Sequence, residues 1–164
     1  MKKFVIGMLV SNQAGVLTRI SGMFSRRGFN IDSLTVGVTE NPDLSRMTVT
    51  MTGSEYERDQ MLKQLDKLFD VKEIKEIETS TAINRELAIV KVKANPADRL
   101  EVLTVANTFG AKVVDLSAET ICFEKTGESN KLDSFVELLK PYGIVEMCRT
   151  GLVAIDRGST TLKK

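Results

Sequence analysis

The sequence predicts an α+β fold made of two successive βαββαβ units. Three observations carry that prediction. Apolar residues alternate with period two in several short runs and recur with helical spacing in longer ones. Along the first half of the chain these patterns follow the order strand, helix, strand, strand, helix, strand. After a polar stretch, TSTAIN (79–84), the same order returns without repetition of residue identity.

Each element has a local reason. FVIGMLVS (4–11) is an almost continuous apolar run, the pattern of a buried strand. In AGVLTRISGMFSRR (14–27), Val16, Leu17, Ile20, Met23 and Phe24 share one helical face. Arg26 and Arg27 in the last turn, with Gly28 after them, fit a dipole-compensated C-terminus and glycine cap. A strand is expected over 29–38, with a break in its alternation. Phe29 and Ile31 are apolar at odd positions and Leu34 and Val36 at even ones, so Asn30 falls in the phase of the later core residues. The turn-rich ENPDLS (40–45) and RMTVTMTG (46–53), with Met47, Val49 and Met51 on one face, complete a hairpin. Ser54 and Glu57 form a capping box opening a helix over 54–69, whose stripe is Met61, Leu62, Leu65, Leu68 and Phe69. DVKEIKEIE (70–78) separates Val71, Ile74 and Ile77 by charges, as an exposed or edge strand does.

The second unit reads as strand 86–94, helix 97–109, strands 111–117 and 120–125, helix 130–140 and strand 143–149. Pro96 lies near its first helix, Gly110 punctuates that helix's end, and Leu132, Phe135, Val136 and Leu139 face inward from its second. DRGSTTLKK (156–164) is expected to fray. The expected organisation is two ferredoxin-like domains, 1–78 and 85–164, joined by the linker 79–84.

Composition narrows the function. Its 164 residues, 42% of them apolar, suffice for a real core, and 23 basic against 22 acidic side chains leave no footprint for nucleic acid or an anionic membrane. The N-terminus is basic and then apolar, but its run is short and no small-residue cleavage site follows. No stretch approaches the roughly 20 apolar residues of a spanning helix. A cytoplasmic protein is expected. The absence of histidine removes the commonest general base, the Ser–His and Cys–His nucleophile pairs and most zinc sites. Cys122 and Cys148 are far apart, outside any metal spacing, and are expected to be reduced. Neither G-x-G-x-x-G nor G-x-x-x-x-G-K-[ST] occurs, and aromatic stacking pairs of an RNA-binding sheet are missing.

The richest place for chemistry is the first strand-to-helix turn, SNQAGVL (11–17). A helix N-terminus offers unpaired N–H groups and partial positive charge to a carboxylate or phosphate. Gly15 either lets a ligand approach the backbone or simply eases the turn; Asn12 either caps the helix or points its amide at a ligand. Asn30 is a second polar candidate for a small ligand, or else stabilises the turn after the helix.

With Asn12, Gly15, Val16, Leu17, Gly28, Asn30 and Ile31 in this spacing, the first unit resembles an ACT domain, an amino-acid-sensing βαββαβ module. NQAGVLTRISGMFSRRGFNIDSLTVG, LSRMT (44–48), KLDSF (131–135) and RTGLVAIDRG (149–158) are together similar to small regulatory subunits of acetohydroxyacid synthase (acetolactate synthase), end to end. That resemblance implies a non-catalytic chain without cofactor or metal. Its partner would be a large subunit that carries thiamine diphosphate, magnesium and FAD and condenses two pyruvates to 2-acetolactate and CO2. It also implies activation of that subunit, feedback inhibition by valine, and a homodimer holding valine between two ACT domains. Carried over by position, the effector site is Asn12, Ala14, Gly15, Val16, Leu17, Asn30 and Ile31, with the amides near Gly15 and Val16 on the carboxylate and Asn30 from either subunit. For the second domain the resemblance implies dimer contacts or engagement of the large subunit. A free-standing ACT-type sensor acting on another enzyme or regulator is the alternative. An acylphosphatase-type enzyme would need an Arg in its phosphate loop, and SNQAG has none.

Overall fold

In the computed structural model, which describes residues 1–162, the chain divides into two units: Met1–Asn84 with the segment from Leu152, and Arg85–Gly151. The first contains β1 (Lys2–Ser11), α1 (Val16–Arg26), β2 (Ser33–Val38), β3 (Leu44–Gly53), α2 (Glu55–Leu65) and β4 (Val71–Glu76). Its sheet has the order β2-β3-β1-β4, and every neighbouring pair is antiparallel. Phe4, Ile6, Met8 and Val10 of β1 join Met47, Val49 and Met51 of β3 in a core covered by Val16, Ile20 and Phe24 of α1 and Met61 and Leu65 of α2. On the opposite face Val5 and Ile77 cluster with Ala82, Leu152 and Ala154. Burial on both faces is why β1 reads as a continuous apolar run.

The second unit repeats the plan with β5 (Ile83–Lys93), α3 (Arg99–Thr108), β6 (Lys112–Leu116), β7 (Thr120–Gly127), α4 (Ser129–Leu139) and β8 (Ile144–Arg149), in the sheet order β6-β7-β5-β8. Phe135 of α4 stands between Phe109 and Phe123, with ring centroids 5.5 and 6.2 Å away. Two of the motifs meet here. Arg149 grips Glu86 through Nε (2.9 Å) and Nη2 (2.7 Å) and reaches Asp133 through Nη1 (2.6 Å), while Ser129 Oγ donates to Glu86 at 2.9 Å. One charge cluster thereby ties β5, β8 and the start of α4. Cys122 is buried, which pushes its thiol upward, and Cys148 is exposed; both are free.

Three expectations change. The strand expected over 29–38 begins only at Ser33; residues 28–32 form an irregular connection. Gly28 (φ 71°) closes α1 with its N–H on Ser25 O, and Phe29 N–H returns to Phe24 O. Freed from the pleat, Phe29 and Ile31 pack on the same core as Leu34 of β2, so the alternation breaks without placing Asn30 inside. The helix expected over 54–69 keeps its capping box but ends at Leu65, leaving Phe69 86% exposed rather than in the core stripe. The tail is anchored rather than frayed through Leu162. β9 (Val153–Ile155) follows Gly151, and the segment beginning at Leu152, which the sequence assigned to the second domain, packs on the first. Arg46 donates to Ala154 O (3.0 Å), Thr35 to Leu152 O (3.3 Å) and Lys75 to Thr161 O (3.3 Å), and Lys75 pairs with Asp156 at 2.7 Å. Leu152 and Ala154 supply the apolar cover that Val5 and Ile77 require. The tail's last two lysines lie outside the described residues. Among the described residues no helix is long and apolar enough to cross a membrane.

Candidate functional site

The turn between β1 and α1 is held from both sides. Ser11 N–H donates to Asp70 O and Asn12 N–H to Asp43 O, each at 2.8 Å. The Asn12 amide donates to Pro42 O at 2.8 Å and accepts from Ser45 Oγ at 3.2 Å. Asn12 therefore pins the β2–β3 loop, and neither caps α1 nor stands as a free amide. The cap position falls to Gly15, at φ 85° and without a side-chain hydrogen bond. That left-handed backbone is one glycine enters without penalty.

No acidic residue occupies the first turn of α1, so its outward N–H groups keep their partial positive charge. Arg19, one turn on, adds to it: a Cβ built on Gly15 would stand 3.8 Å from Arg19 Nη2. Its Nη1 lies 2.9 Å from Asp70 Oδ2, a contact of charges without an aligned hydrogen bond. Asp70 is only 5% exposed, so the pairing compensates a buried carboxylate, while the Arg19 side chain stays largely in solvent. Ala14 and Leu17 are exposed, whereas Val16 is buried in the core and offers an incoming ligand only its backbone, whose N–H makes a long 3.4 Å bond to Gln13 O. The arrangement suits a small anion with a short apolar body.

Asn30 is exposed, and Ile31 packs on the core beside Phe29. Both stand at the other end of the sheet. Ser33 shares a rung with Thr50 and Val5, and Val38 shares one with Ser45 and Val10. Those rungs are five residues, about 17 Å, apart. Asn30 precedes the first rung and Asn12 follows the second. One chain thus brings Asn12, Ala14, Gly15, Val16 and Leu17 together and leaves Asn30 and Ile31 remote. β2 is an edge strand, and its Val36 and Val38 are 42% and 60% exposed on the helix-bearing face. Sequence reasoning missed Arg19 and Asp70; the i, i+4 spacing of Gly15 and Arg19 was the available signal. Among the described residues no group of three or more His, Cys, Asp or Glu could hold a metal ion.

A family model described as the AHAS small subunit-like ACT domain matches residues 6–73, and the fold agrees: the first unit is an ACT domain. A second model, described as the small subunit of acetolactate synthase, matches residues 85–158. The chain is 44% identical over 158 residues to the acetolactate synthase small subunit of Bacillus subtilis, covering 96% of this chain and 92% of that one. It is 45% identical over 157 residues to the probable acetolactate synthase small subunit of Archaeoglobus fulgidus, covering 96% and 98%. The crystal structure of the acetolactate synthase small subunit from Thermotoga maritima superposes with a TM-score of 0.89 at 34% identity, over 98% of this chain and all of that one. The chain belongs to the acetolactate synthase small-subunit family, whose role is regulatory.

Proposed function

We propose that this chain binds valine through paired ACT domains, raises the activity of a large acetolactate synthase subunit, and imposes feedback inhibition on it in the cytoplasm. The observation that carries the reading is the split of the seven site positions between two ends of one sheet. A two-fold dimer in which two β2 edges approach in antiparallel fashion sets the Gly15 end of one copy against the Asn30 end of the other. Exposed Val36 and Val38 give that edge the apolar surface such an interface buries. In each site the amides of Gly15 and Val16, with Arg19 beside them, face the valine carboxylate. Leu17 meets its isopropyl group, and Asn30 of the second copy takes the ammonium group with its carbonyl oxygen.

Thiamine diphosphate, magnesium and FAD belong in this reading to the large subunit, and this chain contributes no reacting group. The two ferredoxin-like domains divide the work: the first, residues 1–78, binds effector and dimerises, and the second, residues 85–151, contributes contacts to the assembly. The test is reconstitution. The purified chain is added to an acetolactate synthase large subunit, and acetolactate formation is followed with and without valine. The reading requires a rise on addition of the chain and a fall on addition of valine. A large subunit indifferent to the chain would overturn it.

A further inference from the structure

The outer face of the first sheet carries a second concave site, independent of the effector reading. Where the segment from Leu152 lies against the sheet, a cavity of about 330 Å3 is walled by Leu9, Ala154, Ile155 and Leu162. That volume is at the lower end for small-molecule sites. Arg46, from the LSRMT motif, also lines it. Its guanidinium lies over β1 because Gly7 has no side chain: a Cβ there would stand 3.1 Å from Arg46 Nη2.

This cation is poorly matched. It donates one hydrogen bond, to Ala154 O, and among the described residues no carboxylate lies within 4.0 Å of it. Asp156, whose charge reaches it through space, is itself bound to Lys75 at 2.7 Å. Burial outweighs that attraction and pulls the guanidinium below its ordinary value. A guanidinium has five N–H donors, and with one neutral acceptor among the described residues the half-buried Arg46 leaves the others to solvent or to a ligand in the cavity.

We propose that this cavity binds a small aliphatic carboxylate, the acid group on Arg46 and the hydrocarbon between Leu9, Ala154, Ile155 and Leu162. A planar carboxylate matches the guanidinium fork, and the apolar walls suit a branched chain of a few carbons. Glu40, itself already engaged within the chain, also lines the cavity, and its negative charge bears on any α-ammonium group the ligand carries. Plain acids and amino acids share the carboxylate anchor and differ at that second contact.

The test uses the full-length chain carrying Asn30→Ala, which disables the proposed effector site, followed by amide NMR during titration with isovalerate or L-valine. Isovalerate is expected to shift Leu9, Ala154, Ile155 and Leu162 with millimolar affinity while leaving Gly15–Leu17 in place. Arg46→Gln should weaken binding roughly tenfold or more. Because Arg46 also holds the returning segment, Thr160→Trp serves as a second variant. It changes an exposed wall residue and should block the cavity with thermal unfolding unchanged. Tighter binding of L-valine assigns the site to amino acids, and equal or weaker binding to plain acids. The proposal is overturned if neither probe shifts the cavity residues, or if both variants bind as the parent does.

Discussion

Replacing Gly15 by Asp separates sensing from folding. At φ 85° a non-glycine residue pays about 1 kcal/mol, and Asp is among the residues that tolerate this region. An added Cβ meets nothing within 4 Å except Arg19 Nη2 at 3.8 Å, so no clash adds to the strain. A carboxylate at the start of α1 returns about 0.5 kcal/mol through the helix dipole. The net cost is under about 1 kcal/mol, a melting shift of no more than about 5 °C. For an incoming valine the effect is far larger. Two carboxylates about 4 Å apart repel by roughly 4 kcal/mol at an effective dielectric of 20, on the order of a thousandfold in affinity. Solvent at this open turn reduces that to roughly a hundredfold. The assay is a valine titration of acetolactate formation by the reconstituted enzyme, beside a thermal melt of the chain. Gly15→Ala carries the backbone strain without the charge and should lose much less affinity. If folded Gly15→Asp still activates and is inhibited at the parent's valine concentration, the carboxylate does not bind at α1.

Other substitutions probe the scaffold. Val38→Asp puts a charge on the exposed edge of β2 and should shift the chain toward monomer in sedimentation, with its melt little changed. Glu86→Ala removes the buried acid that Arg149 grips; because Arg149 keeps some solvent contact and Asp133, the loss expected in chemical denaturation is about 2–3 kcal/mol. Gly7→Ala would place a Cβ 2.6 Å from Ile77 Cδ1 and crowd Arg46, lowering stability by on the order of 1–2 kcal/mol. Ser54→Ala should cost about 1 kcal/mol as a lost helix cap. Hydrogen bonds from Ser54 N–H and Oγ hold the Glu57 carboxyl below its ordinary value. A depressed folded-state pKa stabilises above the unfolded value near 4.3 and is lost as pH falls through the folded one, so Ser54→Ala should flatten the melting temperature's acid limb below about pH 4.

Helix and strand order was legible because each unit obeys its periodicity: Val16, Ile20 and Phe24 are inward as spaced, and so are Leu132, Phe135 and Leu139. The Ser54–Glu57 box and the Gly28 cap were legible as local chemistry, complete within a few residues. The connection before Ser33 was not, because an irregular segment that buries Phe29 and Ile31 has no period to read. Nor was the anchoring of the tail, which depends on Thr35, Arg46 and Lys75 from distant parts of the chain. The site was half legible. The sequence marked Gly15 and Asn30, but only the strand register places them at opposite ends of the sheet.

That separation gives the central claim its most direct measurement. Gly15→Asp and Asn30→Ala chains, each failing to bind valine alone, are mixed, allowed to exchange subunits, and titrated with valine by calorimetry. If each site draws Gly15 from one copy and Asn30 from the other, every mixed dimer has one site with both defects and one intact. Random exchange makes half the dimers mixed, so about a quarter of all sites should regain parental affinity. No recovery after verified exchange would contradict a shared site and return both residues to a single chain.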